Sequence, residues 1–220
     1  MGTIQRAPRT CAVVIGGGAI AALDIEPDLV IAADGGLDVA RAAGLAPTML
    51  VGDLDSISDA GRRWAHEHHV EEHRHSTDKD HTDTALALHH AGMAGADEIV
   101  LLGPGATDRL DHLLGAIIAL GAAPLAAASS VSARLGATTV HVLHADHSTT
   151  IDRPAGQVFS LLALHGTCTG VTVDGARWPL RGATLAPADT LGISNESIGG
   201  PVTVSVGEGV LTVVIPGVTG

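Results

Sequence analysis

Aromatic side chains are almost missing from this chain: Trp64, Trp178 and Phe159 are the whole set, and there is no tyrosine. Each ring therefore has to be accounted for singly. Basic residues are scarce too, with 12 Lys+Arg against 24 Asp+Glu and a formal net charge of -12. That balance argues against a nucleic-acid partner, because affinity for a phosphate backbone is carried mainly by Lys and Arg. The two cysteines, Cys11 and Cys168, are far apart and belong to no CxxC spacing, so zinc and redox motifs find no support and the expected compartment is the cytoplasm. No apolar run is long enough to cross a bilayer, so no membrane role is expected. The stretch Cys11 to Leu23 follows Arg6 and Arg9, but Gly16-Gly17-Gly18 interrupts it, and a strand with a turn accounts for it better than a leader peptide does.

What the chain does have is a rhythm. At 220 residues it suits one large domain or two modest ones. Short apolar runs, Cys11–Ile15, Leu29–Ala33, Met49–Val51 and Glu98–Leu102, end in glycine or acid-glycine turns and alternate with helical stretches. Strand, acid, helix, strand, acid is the order of a parallel sheet with right-handed crossovers. After Ala145 the runs become short β segments with glycine punctuation: Val158–Leu164, Thr167–Val173, Val202–Val206 and Val210–Ile215. The expected fold class is α/β, with an N-terminal parallel-sheet Rossmann-like domain over 1–145 and a C-terminal antiparallel β-sandwich domain over 146–220. Gly16, Gly18 and Ala21 match a loose GxGxxA pattern, which suits a phosphate loop and a simple tight turn equally.

The acids carry the chemistry. Val51-Gly52-Asp53-Leu54-Asp55-Ser56 brings two carboxylates one residue apart to the end of a buried strand, and in an extended stretch both project to one side. Converging carboxylates repel unless a cation lies between them, and a hard, oxygen-liganded ion is the usual answer. An Asp-rich turn with Asp55 or Ser56 capping the next helix is the plainer alternative. The pattern repeats at Asp34-Gly35-Gly36. Downstream, Asp78-Lys79-Asp80-His81-Thr82-Asp83 lacks the glycine and the closing glutamate of a calcium loop. Thr82 instead caps a helix over Asp83–Met93, with Ala85, Leu86 and Met93 facing inward. Asp83 then either complements the helix dipole or is a third metal-facing carboxylate, with Lys79 nearby for phosphate. Arg109 is a phosphate fork in a chain poor in arginine. Asp111 and His112 open a helix through Ile118, and His112 is ranked as a binding residue. His66, His68, His69, His73 and His75 crowd a polar stretch from Ala60; His69 and His73 share a face at helical spacing, but the glutamates between them point to a solvated helix leading into an edge strand.

Asp34-Gly35-Gly36, the stretch Pro47–Ile57 with its Gly-Asp-Leu-Asp-Ser-Ile, Asp80–Asp83 ending in Thr-Asp, and Arg109-Leu110-Asp111-His112 together resemble the ordered motifs of the thiamine pyrophosphokinase family. Gly175-Ala176-Arg177-Trp178-Pro179-Leu180 and Ser194-Asn195-Glu196 are similar to its thiamine-side motifs. The resemblance implies transfer of a pyrophosphoryl group from ATP to the hydroxyl of thiamine, giving thiamine diphosphate and AMP. It implies Mg²⁺ on Asp53, Asp55 and Asp83, and phosphates on Arg109 and Lys79. Nucleotide or substrate contacts would come from Asp34, Gly35, Gly36, Asp80, Thr82 and His112, with Asp111 or Asp80 as candidate for the hydroxyl proton. Trp178 would stack on the thiamine ring beside Ser194 and Asn195. It further implies a homodimer, with the ring held where the β domain of one subunit meets the α/β domain of the other. The chain departs from the family pattern at Thr107 and Asp108, where glycines are usual, and at Ala176, where a larger apolar residue is common. Two alternatives stay open: a pyrophosphokinase for another hydroxymethylated heterocycle such as a pterin, and a non-catalytic nucleotide- or thiamine-binding regulator.

Overall fold

The computed structural model describes residues 9–21, 26–76, 78, 80–105 and 109–217. The first half alternates strands with helices: β1 (Thr10–Ile15), β2 (Leu29–Ala33), α1 (Gly36–Ala42), β3 (Met49–Gly52), α2 (Asp59–Glu67), β4 (Glu71–Arg74), α3 (Asp83–Met93), β5 (Glu98–Gly103) and α4 (Leu110–Ala119). The second half is all strand after a single 3₁₀ turn: β6 (Ser130–Leu135), β7 (Thr138–Leu143), β8 (Ser148–Arg153), β9 (Val158–Leu162), β10 (Cys168–Asp174), β11 (Leu180–Leu185), β12 (Asn195–Glu196), β13 (Gly200–Ser205) and β14 (Leu211–Ile215).

A ten-stranded sheet runs in the order β12-β9-β14-β7-β6-β5-β1-β2-β3-β4. From β6 to β4 all pairings are parallel; from β7 outward they are antiparallel. The inner parallel strands β1, β2, β3 and β5 are apolar on both faces, as strands covered by helices must be, whereas edge strand β4 is polar and exposed. Leu37 and Ala40 of α1 and Ala65 of α2 cover one face with Ala32 and Leu50 beneath. Ala87, Leu88 and Ala91 of α3 and Ala116 of α4 cover the other, over Val13, Ile31, Val51 and Leu101. Chain order reverses at β1: β2, β3 and β4 step away on one side, β5 and β6 on the other. Such a reversal opens a crevice beyond the carboxyl ends of the strands.

The antiparallel half of the sheet faces a second sheet, β11-β10-β13-β8. Phe159, Leu161, Leu211 and Val213 pack there against Val171, Val173, Val202 and Val204, the inward halves of alternating strands. The α/β and β-sandwich parts expected from sequence are both present, and β7 ties them together: it pairs with parallel-side β6 on one edge and sandwich strand β14 on the other.

Three local expectations need correction. The polar stretch from Ala60 is a helix leading into an edge strand, as expected, but the change comes before the paired histidines: α2 stops at Glu67, His69 turns through a left-handed φ of 53°, and β4 begins at Glu71. His69 and His73 therefore share no helical face. Met93 is 71 % exposed; the inward face of α3 is Ala87, Leu88 and Ala91, because the helix packs through small residues close to the sheet. Finally, β6, β7, β8 and β11 carry too much Ser, Thr and Arg to stand out as apolar runs, although β6 buries Val131, Ala133 and Leu135 in strict alternation.

Candidate functional site

The crevice at the strand ends is a cleft of about 550 Å³. Gly16 and Gly17 after β1, Asp34 after β2, Asp83 at the start of α3 and Arg109 and His112 at the start of α4 form its walls. Gly36 fixes how tightly α1 closes on the sheet, because a Cβ there would sit 2.1 Å from the carbonyl oxygen of Val14. Only glycine permits that approach.

Backbone turns, rather than an extended strand, gather the acids. Asp34 has φ 47° and donates its N–H to the Val51 carbonyl at 2.9 Å, so the end of β2 leans over the end of β3. Leu54 has φ 67° and is buried against Leu50 and Ile57, so the loop folds around its side chain. Asp53 and Asp55 are thereby turned to one side, and the Asp55 N–H donates to Asp53 Oδ1 at 3.2 Å. Carboxylate oxygens of Asp34, Asp53 and Asp55 all lie within 4.8 Å of one another, the sole such group among the described residues. Neither Asp55 nor Ser56 caps the next helix; Ser58 does, accepting from the Gly61 N–H at 2.9 Å.

Asp34 is the informative member. Its Oδ1 is buried with no hydrogen-bond partner. Burial pushes its carboxyl above the usual range; hydrogen bonds from Ser56 and Gly35 pull the other way, and the charges of Asp53 and Asp55 push it further up. An orphaned carboxylate oxygen facing two more acids is costly unless a cation completes it. The donor set is all oxygen, which fits a hard divalent ion such as Mg²⁺.

Asp83 stands next to this group without belonging to it. A Cβ on Gly52 would lie 2.9 Å from Asp83 Oδ1 and 3.2 Å from Asp34 Cβ, so the two aspartates approach the bare face of Gly52 together. Asp34, expected at the nucleotide, is the carboxylate that converges with Asp53 and Asp55. Thr82 caps α3, accepting from the Ala85 N–H at 3.2 Å. Asp80 is exposed. Lys79, Thr107 and Asp108 lie outside the described residues.

At the mouth of the cleft Arg109 forms a two-pronged pair with Asp111, Nε to Oδ1 at 3.0 Å and a terminal nitrogen to Oδ2 at 2.8 Å, and also meets His112 Nε2. This pairing holds the Asp111 carboxyl down at about 2. Both cysteines are buried in the core, which pushes the Cys11 thiol up to about 12; neither has a part in this chemistry.

The remaining motif residues meet elsewhere. Gly175–Trp178 runs beside Asn195–Ile198, with Arg177 N–H donating to the Glu196 carbonyl at 2.8 Å and Ile198 N–H to the Gly175 carbonyl at 3.1 Å. Buried Asn195 clasps the backbone of Trp178, accepting from its N–H at 3.2 Å and donating to its carbonyl at 2.7 Å. The indole is left 51 % exposed, with the Arg177 guanidinium 4.7 Å above its centre. Ser194, at φ 59°, is exposed and donates its N–H to Ser160 Oγ at 3.1 Å. None of these residues lines the acidic cleft.

Two family models divide the chain between them. Residues 23–128 match the thiamin pyrophosphokinase catalytic domain, and residues 140–211 match the thiamin pyrophosphokinase vitamin B1 binding domain. The chain belongs to the thiamin pyrophosphokinase family. It is 28 % identical over 191 residues to the thiamine pyrophosphokinase of Bacillus subtilis, covering 86 % of this chain and 87 % of that one. The crystal structure of thiamin pyrophosphokinase from Geobacillus thermodenitrificans superposes with a TM-score of 0.76 at 25 % identity, over 96 % of this chain and 98 % of that one. The Bacillus subtilis crystal structure gives the same TM-score, 0.76, at 24 % identity over 96 % and 100 % of the two chains, and so supports the fold. As a member of that family the chain is a kinase-type transferase. The family's catalytic model spans the cleft acids and Arg109; its vitamin B1 model spans Trp178 and Asn195.

Proposed function

We propose that this chain transfers the pyrophosphoryl group of ATP to the hydroxyl of thiamine, releasing AMP, with Mg²⁺ held at the acidic crevice. The observation that carries this reading is the meeting of Asp34, Asp53 and Asp55 around an orphaned, buried carboxylate oxygen. Bound there, Mg²⁺ would neutralise phosphate charge as the hydroxyl attacks the β-phosphorus. Asp83, beside Asp34 at Gly52, would add a further carboxylate to the set. Arg109 reaches the phosphates, and Asp111 and His112 hold its fork in place. Asp111 spends both carboxylate oxygens on Arg109, so Asp80 is the carboxylate we propose to take the hydroxyl proton. Lys79 supplies a second phosphate cation. Gly35 and Gly36, with Thr82, shape the nucleotide side. Catalysis of this kind is mostly positioning and charge stabilisation.

The division of labour we propose is 1–145 for ATP and metal and 146–220 for thiamine. Trp178 presents its face to the cationic ring, held by Asn195, with Ser194 alongside. Because the Trp178 turn lines none of the acidic cleft, we propose that a complete site forms between two copies of the chain. Exposed Leu110, Leu114 and Ile118 down one side of α4, and exposed Ile193 and Ile198 near the Trp178 turn, supply apolar surface for that contact. We place the enzyme in the cytoplasm; no helix among the described residues is long and apolar enough to cross a membrane.

Product analysis with ATP and Mg²⁺ tests the reaction. AMP formed from thiamine upholds it, AMP formed only from a hydroxymethylpterin moves it to another heterocycle, and tight binding without turnover makes the chain a regulator. Mixing Asp55→Asn with Trp178→Ala protein tests the shared site. If the site spans two subunits, refolded mixtures regain roughly a quarter of wild-type activity at low thiamine, since half the dimers carry one intact site. No recovery would confine the site to one chain.

A further inference from the structure

The chain has 13 histidines, and the structure brings three of them together at a place the acidic crevice does not use. His73 lies on β4, His75 just beyond it and His90 two turns into α3. His73 and His75 are two residues apart on one face of an extended stretch, and α3 packs along that face of the sheet. The His73 and His90 rings are 4.2 Å apart between centres, and those of His75 and His90 are 6.4 Å apart. Two imidazoles on one tetrahedral ion, each nitrogen about 2 Å from it, have ring centres roughly 5 Å apart, between these two values.

We propose that His73, His75 and His90 form a second metal site, selective for zinc or a similar borderline transition ion. It is separate from the Mg²⁺ site and does not rest on the proposed reaction.

Three further observations support it. His75 Nε2 is buried and has no hydrogen-bond partner, an unspent lone pair or proton in the interior. Glu71 Oε1 lies 2.8 Å from His73 Nε2, so the proton sits on that nitrogen and the lone pair on Nδ1. A carboxylate on the far nitrogen is how ligating histidines are usually oriented. His90 is partly buried and ringed by the imidazoles of His73, His75 and His89, whose centres lie 4.2, 6.4 and 6.2 Å from its own.

Donor chemistry separates the two sites. Imidazoles suit zinc, copper or nickel, whereas the carboxylates of the crevice suit Mg²⁺. The ring nitrogens of the three do not lie within 4.8 Å of one another as the crevice oxygens do, so the rings must turn to share an ion. The location gives such an ion a structural role. His75 donates its N–H to the Gly52 carbonyl at 2.9 Å, and Asp83 crowds the same glycine, so an ion joining β4 to α3 braces the base of the acid loop.

The test is zinc titration of metal-stripped, full-length protein in saturating Mg²⁺, against a chromophoric chelator. One sub-micromolar site per chain is expected. His90→Gln and His73→Gln should each weaken it by about 100-fold, while His66→Gln, at an exposed helical position, leaves it unchanged. Circular dichroism checks that each variant folds. Imidazole ¹⁵N shifts of the unsubstituted protein give a second readout, with His75 Nε2 or Nδ1 moving on zinc addition. A tight site that survives His90→Gln, shifts confined to exposed His66, His68, His69 and His89, or no tight site at all would overturn the proposal.

Discussion

At the acidic crevice three carboxylates converge and a buried oxygen of Asp34 is left without a partner, while at the Trp178 turn both ends of the Asn195 amide are bonded to neighbouring main chain. The first region stores unfavourable charge on left-handed backbone at Asp34 and Leu54. The second is satisfied before any ligand arrives and simply holds a ring out to solvent. Charge-transfer chemistry needs a place where a cation gains more than water would offer, and only an unsatisfied site supplies that. Holding a flat ring needs rigidity, which a closed hydrogen-bond clasp supplies at little cost in strain.

Substitutions that equalise the two regions should show the difference. Asp55→Asn is expected to lower kcat by a factor of about 100 or more with the fold intact, because the proposed metal site loses a ligand in the transition state; steady-state rates with circular dichroism check it. Trp178→Ala should raise the KM for thiamine by about 5-fold with little change in kcat, a loss of ring contact worth roughly 1 kcal/mol. Unfolding of the β part instead would make Trp178 a core residue. Asn195→Ala should cost about 1 kcal/mol in denaturant unfolding, since it strips partners from the part-buried backbone groups of Trp178 and Glu196.

Asp34→Asn sharpens the contrast further. The raised native carboxyl means the folded state keeps its proton to higher pH than the unfolded state does. Without metal, stability therefore falls as pH rises from the ordinary value of 3.8 through the raised one, and stays lower above it. Asp34→Asn should remove that fall, raising the Tm of metal-free protein at pH 7 by about 2–4 °C and abolishing the Tm gain from Mg²⁺. Thermal scans with EDTA and with Mg²⁺ measure both. The smallest effect is expected at Asp111→Asn, where an exposed pair is lost: Tm unchanged and the KM for ATP up a few-fold, as Arg109 loses its brace.

Much of the crevice was legible because its signals are local. A glycine and acids directly after an apolar run mark the end of a buried strand, and Thr82 three residues before the Ala85 N–H marks a helix start with its bounds correct. The sandwich strands with clear alternation, such as Val158–Leu162, were equally plain. Residues whose partners are distant in sequence were not. Nothing near Asp34 says that it, rather than Asp83, closes on Asp53 and Asp55. Nothing near His73 names His90.

The order of strands and helices, the division into a helix-covered and a sheet-covered half, and the family motifs were thus set by the sequence on its own, through the spacing of apolar residues and the turn chemistry of glycine and proline. The convergence of particular acids, the clasp between Asn195 and Trp178 and the histidine group at the sheet edge were decided only by the tertiary structure. Each depends on which strand lies beside which, and that order is a property of the whole packed sheet rather than of any local stretch of chain.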